Sequence, residues 1–411
     1  MTIAIIGGGA AGMMAAASAC ATNLTHRIIL VERNNGLGKK VIISGGGRCN
    51  VTTGIHDLDV LPTKYPRGAD FLSRAFQEFP PDAVYRWFEA NGVPLKTQPD
   101  QRVFPKSDDG HDIVGVFEKI FAEQNVDVLL NTHILGVQKS GDQFALHVRD
   151  RSEPLLADRV ILTTGGQAYR QTGSTGDGYA FAQSLGHTLT PLAPSLNSFF
   201  TKETWPAAVS GVSFNNATIT AQRERSPAFT GPFLFTHKGI SGPAVFALSS
   251  LVAFETYGPQ SPMNITINFF PQISHAQMVA RLKQVMEEHP KKTVLNLLAT
   301  FVPKSLTDVI GSVLSISEQR RAAEVGKKDL THIATWLTAL PLTVVGRGAG
   351  DEFVTAGGIP TEEVDPLTMQ STICPGLFLA GEILNVDGFT GGFNLQASWA
   401  TGRLAGIHAG A

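Results

Sequence analysis

The stretch "TIAIIGGGAAGMMAAASACA" sets Gly7, Gly9 and Gly12 in the spacing GxGxxG, directly between an aliphatic run and an Ala/Met-rich segment. The pattern predicts a buried strand from about Ile3 to Ile6, a glycine turn, and a helix starting near Ala10. "RIILVER", from Arg27 to Arg33, is a second apolar run of the kind found in parallel sheets covered on both faces. Each residue type in the turn has a physical task. Gly7 permits the tight turn, Gly9 lets main chain approach a pyrophosphate, and Gly12 allows the helix to pack closely on the strand. The helix N-terminus adds free N–H donors and partial positive charge. Glu32 follows about 20 residues after the last glycine, placed to accept hydrogen bonds from ribose hydroxyls. A turn that merely packed a helix would leave Glu32 unexplained, because an unpaired carboxylate at a buried strand end costs free energy. Dinucleotide binding is the expectation.

Composition narrows the partners. The chain has 411 residues, 43% hydrophobic and 17% charged, with a formal net charge of -2. That is the balance of an ordinary folded protein with room for more than one core, and it lacks the basic field that polyphosphate binding requires. A small-molecule substrate is expected, and no nucleic acid. Cys20, Cys49 and Cys374 are far apart and form no CxxC pair, so no metal site and no disulfide framework is expected. The first residues carry no basic segment before their short apolar run, and no apolar run approaches a membrane span. The chain therefore reads as cytoplasmic, with no membrane partner, and a homodimer is the base-rate expectation.

Further along, helices are expected around Asp82–Asn91 and Ile113–Gln124, and strand patterning in "VDVLLNTHILGVQ", "FALHVRD" and "DRVILTTGG". From about Pro191 short alternating runs such as "NATITAQ" and "MNITINFF" replace this style, and a charged helical block follows at roughly 274–340. Residues 191–345 are read as an inserted domain, part β and part α, between a first domain piece at 1–190 and its return at 346–411. Three features favour FAD over NAD. "TTGG" at Thr163–Gly166 closes a strand where main chain can approach a cofactor. "GLFLAGE" puts Glu382 at another strand end, within reach of a ribitol chain. "TGGFNLQASWATG" opens a second helix whose first amides, at Gly392, Phe393 and Asn394, could face the flavin pyrimidine edge, where reduced flavin gathers negative charge.

Four segments, "GLGKKVIISGGGRCNVTTG", "GSTGDGYAFAQSLGH", "LFTHKGISGPAVF" and "GLFLAGEILNVDGFTGGFNLQASWATGRLAG", together resemble the bacterial aminoacetone-oxidase-like family of FAD-binding flavoproteins, whose members are often described as NAD(P)/FAD-dependent oxidoreductases and which includes a bile-acid dehydro-reductase branch. The resemblance spans nearly the whole chain. It implies an α/β, Rossmann-like two-dinucleotide-binding FAD domain built from both chain ends, with an inserted β-barrel-like domain carrying a helical subdomain. By motif position, Gly7, Gly9, Ala10, Ala11, Gly12, Glu32 and Arg33 would hold the ADP half, and the Ile134 backbone would meet adenine. Lys39, Ser44, Gly45, Gly46, Gly47, Arg48, Cys49, Asn50, Thr164, Gly165, Gly166, Gly381, Glu382, Gly392, Phe393, Asn394 and Leu395 would hold the ribityl and flavin half. Asn385 stands where the family commonly has aspartate, which leaves Asp387 as the nearest carboxylate.

Flavin would carry the redox step, while the protein supplies binding and electrostatics. Arg48, Cys49 and His237 are the candidate catalytic groups: a cation for an anion, a thiol beside flavin, and an acid or base titrating near neutrality. Asp177 reads as a helix cap or backbone organiser. No second GxGxxG with a following acid appears, so NAD(P)H, if used, would dock transiently. The expected activity is hydride transfer between a small organic substrate and flavin N5, either as an amine oxidase reoxidised by O2 or as an NAD(P)H-dependent reductase of enone-like compounds. A non-catalytic flavin-binding or regulatory protein and a flavin-dependent RNA-modifying enzyme are the alternatives.

Overall fold

Five short aliphatic runs pair into one parallel sheet. They are β1 (Thr2–Ile6), β2 (Arg27–Val31), β3 (Asp127–Leu129), β4 (Arg159–Leu162) and β5 (Leu377–Leu379), in the spatial order β5-β4-β1-β2-β3. The central strands are buried almost end to end, as covering both faces of a parallel sheet demands. The chain forms two units by its contacts, Met1–Ser195 with Glu352–Ala411 and Leu196–Asp351, in a computed structural model that describes residues 1–22, 25–348 and 353–411. The sheet belongs to the first unit, and the chain's expected return at 346–411 runs through 349–352, which lie outside the described residues.

Two helices shape the middle of that unit. The helix α1 (Ala10–Thr22) is buried on nearly every side, consistent with its Ala/Met composition and lack of a polar face. The C-terminal helix α2 (Phe393–Gly410) packs on it through glycines. A Cβ added at Gly402, Gly406 or Gly410 would stand 2.4, 2.2 and 3.1 Å from the carbonyl oxygens of Ala11, Ala15 and Ala19. Spacing by four keeps these glycines on one helix face, and the constant register means that the helices run parallel. Trp399 of α2 packs against Phe88 and Phe117, from the helices Pro81–Ala90 and Gly110–Glu123. Its indole N–H donates to Val51 O at 2.8 Å, which fixes the chain just after the triple glycine.

"VDVLLNTHILGVQ" is not one strand. Asp127–Leu129 joins the parallel sheet, whereas Ile134–Ser140 enters a separate three-stranded antiparallel sheet. Asn131, with φ +51°, lies in the break between them.

The second unit is a closed barrel of six strands with a helical block. The strand order is Phe199–Thr201, Gly239–Ser241, Ala228–Thr236, Ser213–Ala221, Met263–Asn268 and Leu340–Arg347, the last pairing back to the first. Closure leaves no strand edge open. Between the last two barrel strands lie the helices His275–Glu288, Val294–Leu298, Lys304–Val313 and Lys327–Thr338. Ser274 caps the first of them in a reciprocal box with Gln277.

Candidate functional site

The glycine turn after β1 divides its labour residue by residue. Gly7 has φ +109°, and its N–H donates to Val31 O at 2.8 Å. A Cβ on Gly12 would lie 1.9 Å from Gly7 O, so only glycine lets α1 start this close to the strand. A Cβ on Gly9 would meet nothing within 4 Å, which leaves open space before the first turn of α1, where Ala10 and Ala11 begin the helix. The first amides of a helix have no intrahelical acceptor, so this opening is lined with donors.

Glu32 is more occupied than its sequence position suggests. Its carboxylate accepts from Gly8 N at 2.8 Å, from Asn34 N at 2.8 Å and from Asn34 Nδ2 at 2.7 Å. Of about four acceptor directions on a carboxylate, one braces the glycine turn, two are taken by Asn34, and one is left for a hydroxyl. Asn34 was not legible as a site residue. Arg33 does not reach toward the turn: its guanidinium donates to Thr175 Oγ1 at 2.6 Å and pairs with Asp177 at 2.9 Å. Asp177 thus anchors Arg33 from the first turn of the helix Asp177–Ser184. The main chain of Ile134 is paired with Val148, while Thr132 N donates to Glu32 O, so this segment passes beside β2.

The parallel register of α1 and α2 aims both N-termini toward the same end. Carried back along the helices, Ala10 stands level with Thr401, so α2 begins eight residues earlier, about 12 Å farther out along the axis. Two positive helix ends therefore face the same way, side by side at different depths. Gly381, φ +79°, follows β5 and wedges between them, its would-be Cβ only 2.8 Å from that of Ala11.

The loops expected around the far end come together here. Gly45, Gly46 and Gly47 all have positive φ, and Cβ atoms on Gly46 and Gly47 would meet nothing within 4 Å. Thr52 O lies against Gly392, whose φ is +88° and whose would-be Cβ would sit 2.2 Å away. The helix Lys39–Ile43 brings Lys40, not Lys39, to Glu382 at 2.8 Å. Glu382 also accepts from Thr355 N at 2.8 Å, so its carboxylate is braced from two sides. On the β4 side, Gly165 has φ +72°, and a Cβ on Gly166 would lie 3.1 Å from Glu382 Oε1. Thr164 Oγ1 is buried with no hydrogen-bond partner among the described residues. That hydroxyl packs against Gly178, whose would-be Cβ would stand 1.9 Å from it, so the Thr164 side chain holds the helix Asp177–Ser184 close to the end of β4.

Several of the expected site side chains have protein partners of their own. Cys49 is fully buried, and burial pushes its thiol up to about 12, a rise that the Ser44 hydrogen bond only partly offsets. It is a protonated packing group at neutral pH rather than a nucleophile. Arg48 lies over the Phe104 ring at 4.0 Å and 3.8 Å from Asp108, so its charge is engaged locally. Asn50 Oδ1 accepts from Val103 N at 3.3 Å, and Ser44 Oγ donates to Val41 O. Asn394 turns its side chain back to Gly388, accepting from its N–H and donating to its carbonyl, both at 2.8 Å. The Phe393 ring is buried and Leu395 partly so, so this turn can offer only main-chain amides. Asp387 is no free carboxylate, since both its oxygens bind the Arg67 guanidinium. His237 is exposed in the turn between two barrel strands of the second unit.

The residues present fit an extended dinucleotide: two helix N-termini facing the same end, open space at Gly9, Gly46 and Gly47, and one spare acceptor on Glu32. Comparisons agree with this fold. The chain matches the family model described as HI0933-like protein Rossmann domain over residues 1–408. It is 31% identical to the 3-dehydro-bile acid delta(4,6)-reductase of Clostridium scindens, over 98% of both chains. It is 28% identical to the ribosomal RNA dihydrouridine synthase of Escherichia coli, over 93% of this chain and 92% of the other. Among solved structures, the 3-ketosteroid-delta4-(5alpha)-dehydrogenase of Rhodococcus jostii RHA1 aligns with a TM-score of 0.55 at 14% identity, covering 100% of this chain and 96% of that one.

Proposed function

The chain belongs to the HI0933-like family of Rossmann-domain proteins, and from that premise we propose that it is an FAD-dependent oxidoreductase that saturates a carbon–carbon double bond conjugated to a carbonyl group in a small molecule. The observation that carries the cofactor assignment is the parallel pair of helix N-termini, offset by about 12 Å along their common direction, with open space at Gly9 before the first of them. Bound there, FAD supplies hydride chemistry at its flavin ring. The chain's own residues bind and orient it. Amides of the turn from Gly9 into the first residues of α1 take the diphosphate, the spare acceptor on Glu32 takes a ribose hydroxyl, and the main chain of Thr164–Gly166 lies along the ribityl chain. The first amides of α2 place positive charge where electrons added to the ring gather.

The double bond comes from the relatives. One is named a delta(4,6)-reductase and the other a dihydrouridine synthase, and both names describe hydrogen added across a double bond. Hydride adds to a carbon–carbon double bond only when the bond is polarised, and a conjugated carbonyl does this by taking up the developing charge. A small molecule is proposed over RNA because 33 Lys and Arg against 35 Asp and Glu give no basic field. NAD(P)H, docking transiently, is the proposed electron source, since the sequence holds no second dinucleotide fingerprint.

The test is anaerobic stopped-flow mixing of the FAD-loaded protein with NADPH or NADH, followed by an α,β-unsaturated steroid ketone. Bleaching of the flavin, then recovery with formation of the saturated ketone, is expected. Bleaching by aminoacetone but not by NAD(P)H would establish the amine oxidase activity instead. Dihydrouridine formed in ribosomal RNA, with the ketone untouched, would move the substrate to RNA. A protein that takes up no flavin refutes the whole reading.

A further inference from the structure

The loop that feeds α2, residues 385–392, is gripped along its length by a segment that no motif singles out. Phe389 N donates to Lys64 O at 2.9 Å, and the Tyr65 hydroxyl donates to Phe393 O at 2.8 Å. Arg67 and Asp387 form a β-bridge, and a Cβ on Gly68, φ +76°, would meet Val386 at 2.3 Å. Across this ladder the Arg67 guanidinium takes both carboxylate oxygens of Asp387 through Nε and Nη2, the latter at 2.5 Å. The Asp387 side chain is 0% exposed and that of Arg67 16%. Ser195, fully buried at the end of the strand Ala193–Ser195, donates its hydroxyl to Asp387 Oδ2 at 3.0 Å.

A buried ion pair is a poor device for stability alone, because desolvation consumes most of the Coulombic gain. A two-pronged guanidinium–carboxylate contact is a good device for geometry, since it fixes orientation as well as distance. What this one orients is the turn before α2. Asp387 precedes Gly388, whose N–H and carbonyl are held by Asn394, and Asn394 lies in the first turn of α2 itself. The chain of contacts runs from Arg67 to Asp387 to Gly388 to Asn394, and ends at the amides assigned to the flavin ring.

We propose that Arg67 is a positioning residue for the flavin, acting through Asp387 to aim the first amides of α2. This rests on the FAD reading given above. The field of a helix terminus falls off within a turn, so a small tilt of that turn changes how well added negative charge on the ring is stabilised. Ser195 makes the same carboxylate sensitive to the strand from which the chain leaves the first unit.

Arg67→Lys keeps the charge and removes the fork. In the full-length protein, the FAD dissociation constant is measured by fluorescence titration, and the oxidised-to-reduced flavin ratio against a reference dye at fixed poise. Both should rise, the ratio by about fivefold, while the melting temperature of the FAD-free protein changes little. An unchanged ratio and affinity overturn the proposal, whatever happens to stability. Should Arg67→Lys not fold, Ser195→Ala, which leaves the ion pair intact, must shift the ratio in the same direction by a smaller factor; stability lost with the ratio unmoved overturns it equally. Wild-type protein that binds no FAD refutes the functional reading instead, so the two failures are distinguishable.

Discussion

At the residue scale, Gly9 and Gly12 look equivalent in the fingerprint but are required for different reasons, and substitution separates them. Gly12→Ala places a methyl 1.9 Å from Gly7 O, so the FAD-free protein should lose stability on the order of 2 kcal/mol or fail to fold. Gly9→Ala meets no protein atom; its melting temperature should hold, while FAD affinity, read by fluorescence titration, falls at least about tenfold because the methyl occupies the diphosphate's approach. Retained affinity in Gly9→Ala would remove the diphosphate from this turn. A second residue cluster resembles catalysis more than it performs it. His187 Nε2 accepts the Ser371 hydroxyl at 2.8 Å and its Nδ1 faces Glu363 at 2.8 Å, the geometry of a hydrolase triad. Yet Ser371 Oγ already accepts from Ile373 N at 3.1 Å and Cys374 N at 2.8 Å, which uses both lone pairs and leaves none for attack. The cluster is a clamp, and it carries a pH signature. Burial raises the Glu363 carboxyl, but hydrogen bonds from the Thr188 hydroxyl and amide and from His187 outweigh it, so the net shift is downward. A depressed carboxylate contributes stability above its unfolded pKa and loses it as pH falls through the folded value. The melting temperature should therefore drop in acid, and Glu363→Gln should make that drop shallower; an unaltered acid limb would deny the clamp its role.

At the scale of elements, the α1–α2 interface decides where both helix ends point. Gly406→Ala would set a methyl 2.2 Å from Ala15 O, and the backbones must part to admit it. Overpacking of this kind costs about 1–3 kcal/mol, and because α2 would shift relative to α1, FAD affinity should fall with stability in calorimetry and titration. A variant that loses stability at full FAD affinity would show that the register of the two helices does not set the cofactor's seat. The elements themselves are largely legible in the sequence: β1 and the two later strands are apolar runs ending in glycine, β2 is an apolar run ending in Glu32, and α1 is the Ala/Met-rich segment between β1 and β2. Their side-chain partners were not. Glu382 reads as a free acceptor at a strand end, but Lys40 lies 342 positions away along the chain, and nothing local to either residue signals the pairing. Lys39 and Lys40 cannot be told apart by sequence because the helix that selects one of them, Lys39–Ile43, is only five residues long. Arg67, Tyr65 and Asn34 leave no residue-type pattern for the same reason: Arg67 and Tyr65 bind partners 320 and 328 positions away, and Asn34 braces a carboxylate that the motif assigns to ribose.

At the scale of the whole molecule, two cores share one chain. The apolar cluster around Ile5, Met13, Trp399 and Leu379 is drawn entirely from the first unit, and that around Phe199, Phe235, Ile265 and Leu342 entirely from the second. Short alternating runs replace continuous ones in the sequence from about Pro191, but barrel closure depends on Phe199–Thr201 pairing with Leu340–Arg347, a long-range contact that periodicity does not encode. A chain with two such cores need not unfold in one step. All residues assigned to FAD lie in the first unit, so ligand linkage should act on that unit alone. At a free FAD concentration about 100 times the dissociation constant, binding adds about 2.7 kcal/mol to the state that holds it. Scanning calorimetry should then show the transition of the first unit moving up on FAD addition while the barrel's transition stays in place, with Gly9→Ala abolishing the shift. If both transitions rise together by the same amount, the cofactor draws its stabilising contacts from the barrel as well, and the assignment of FAD binding to the first unit alone fails.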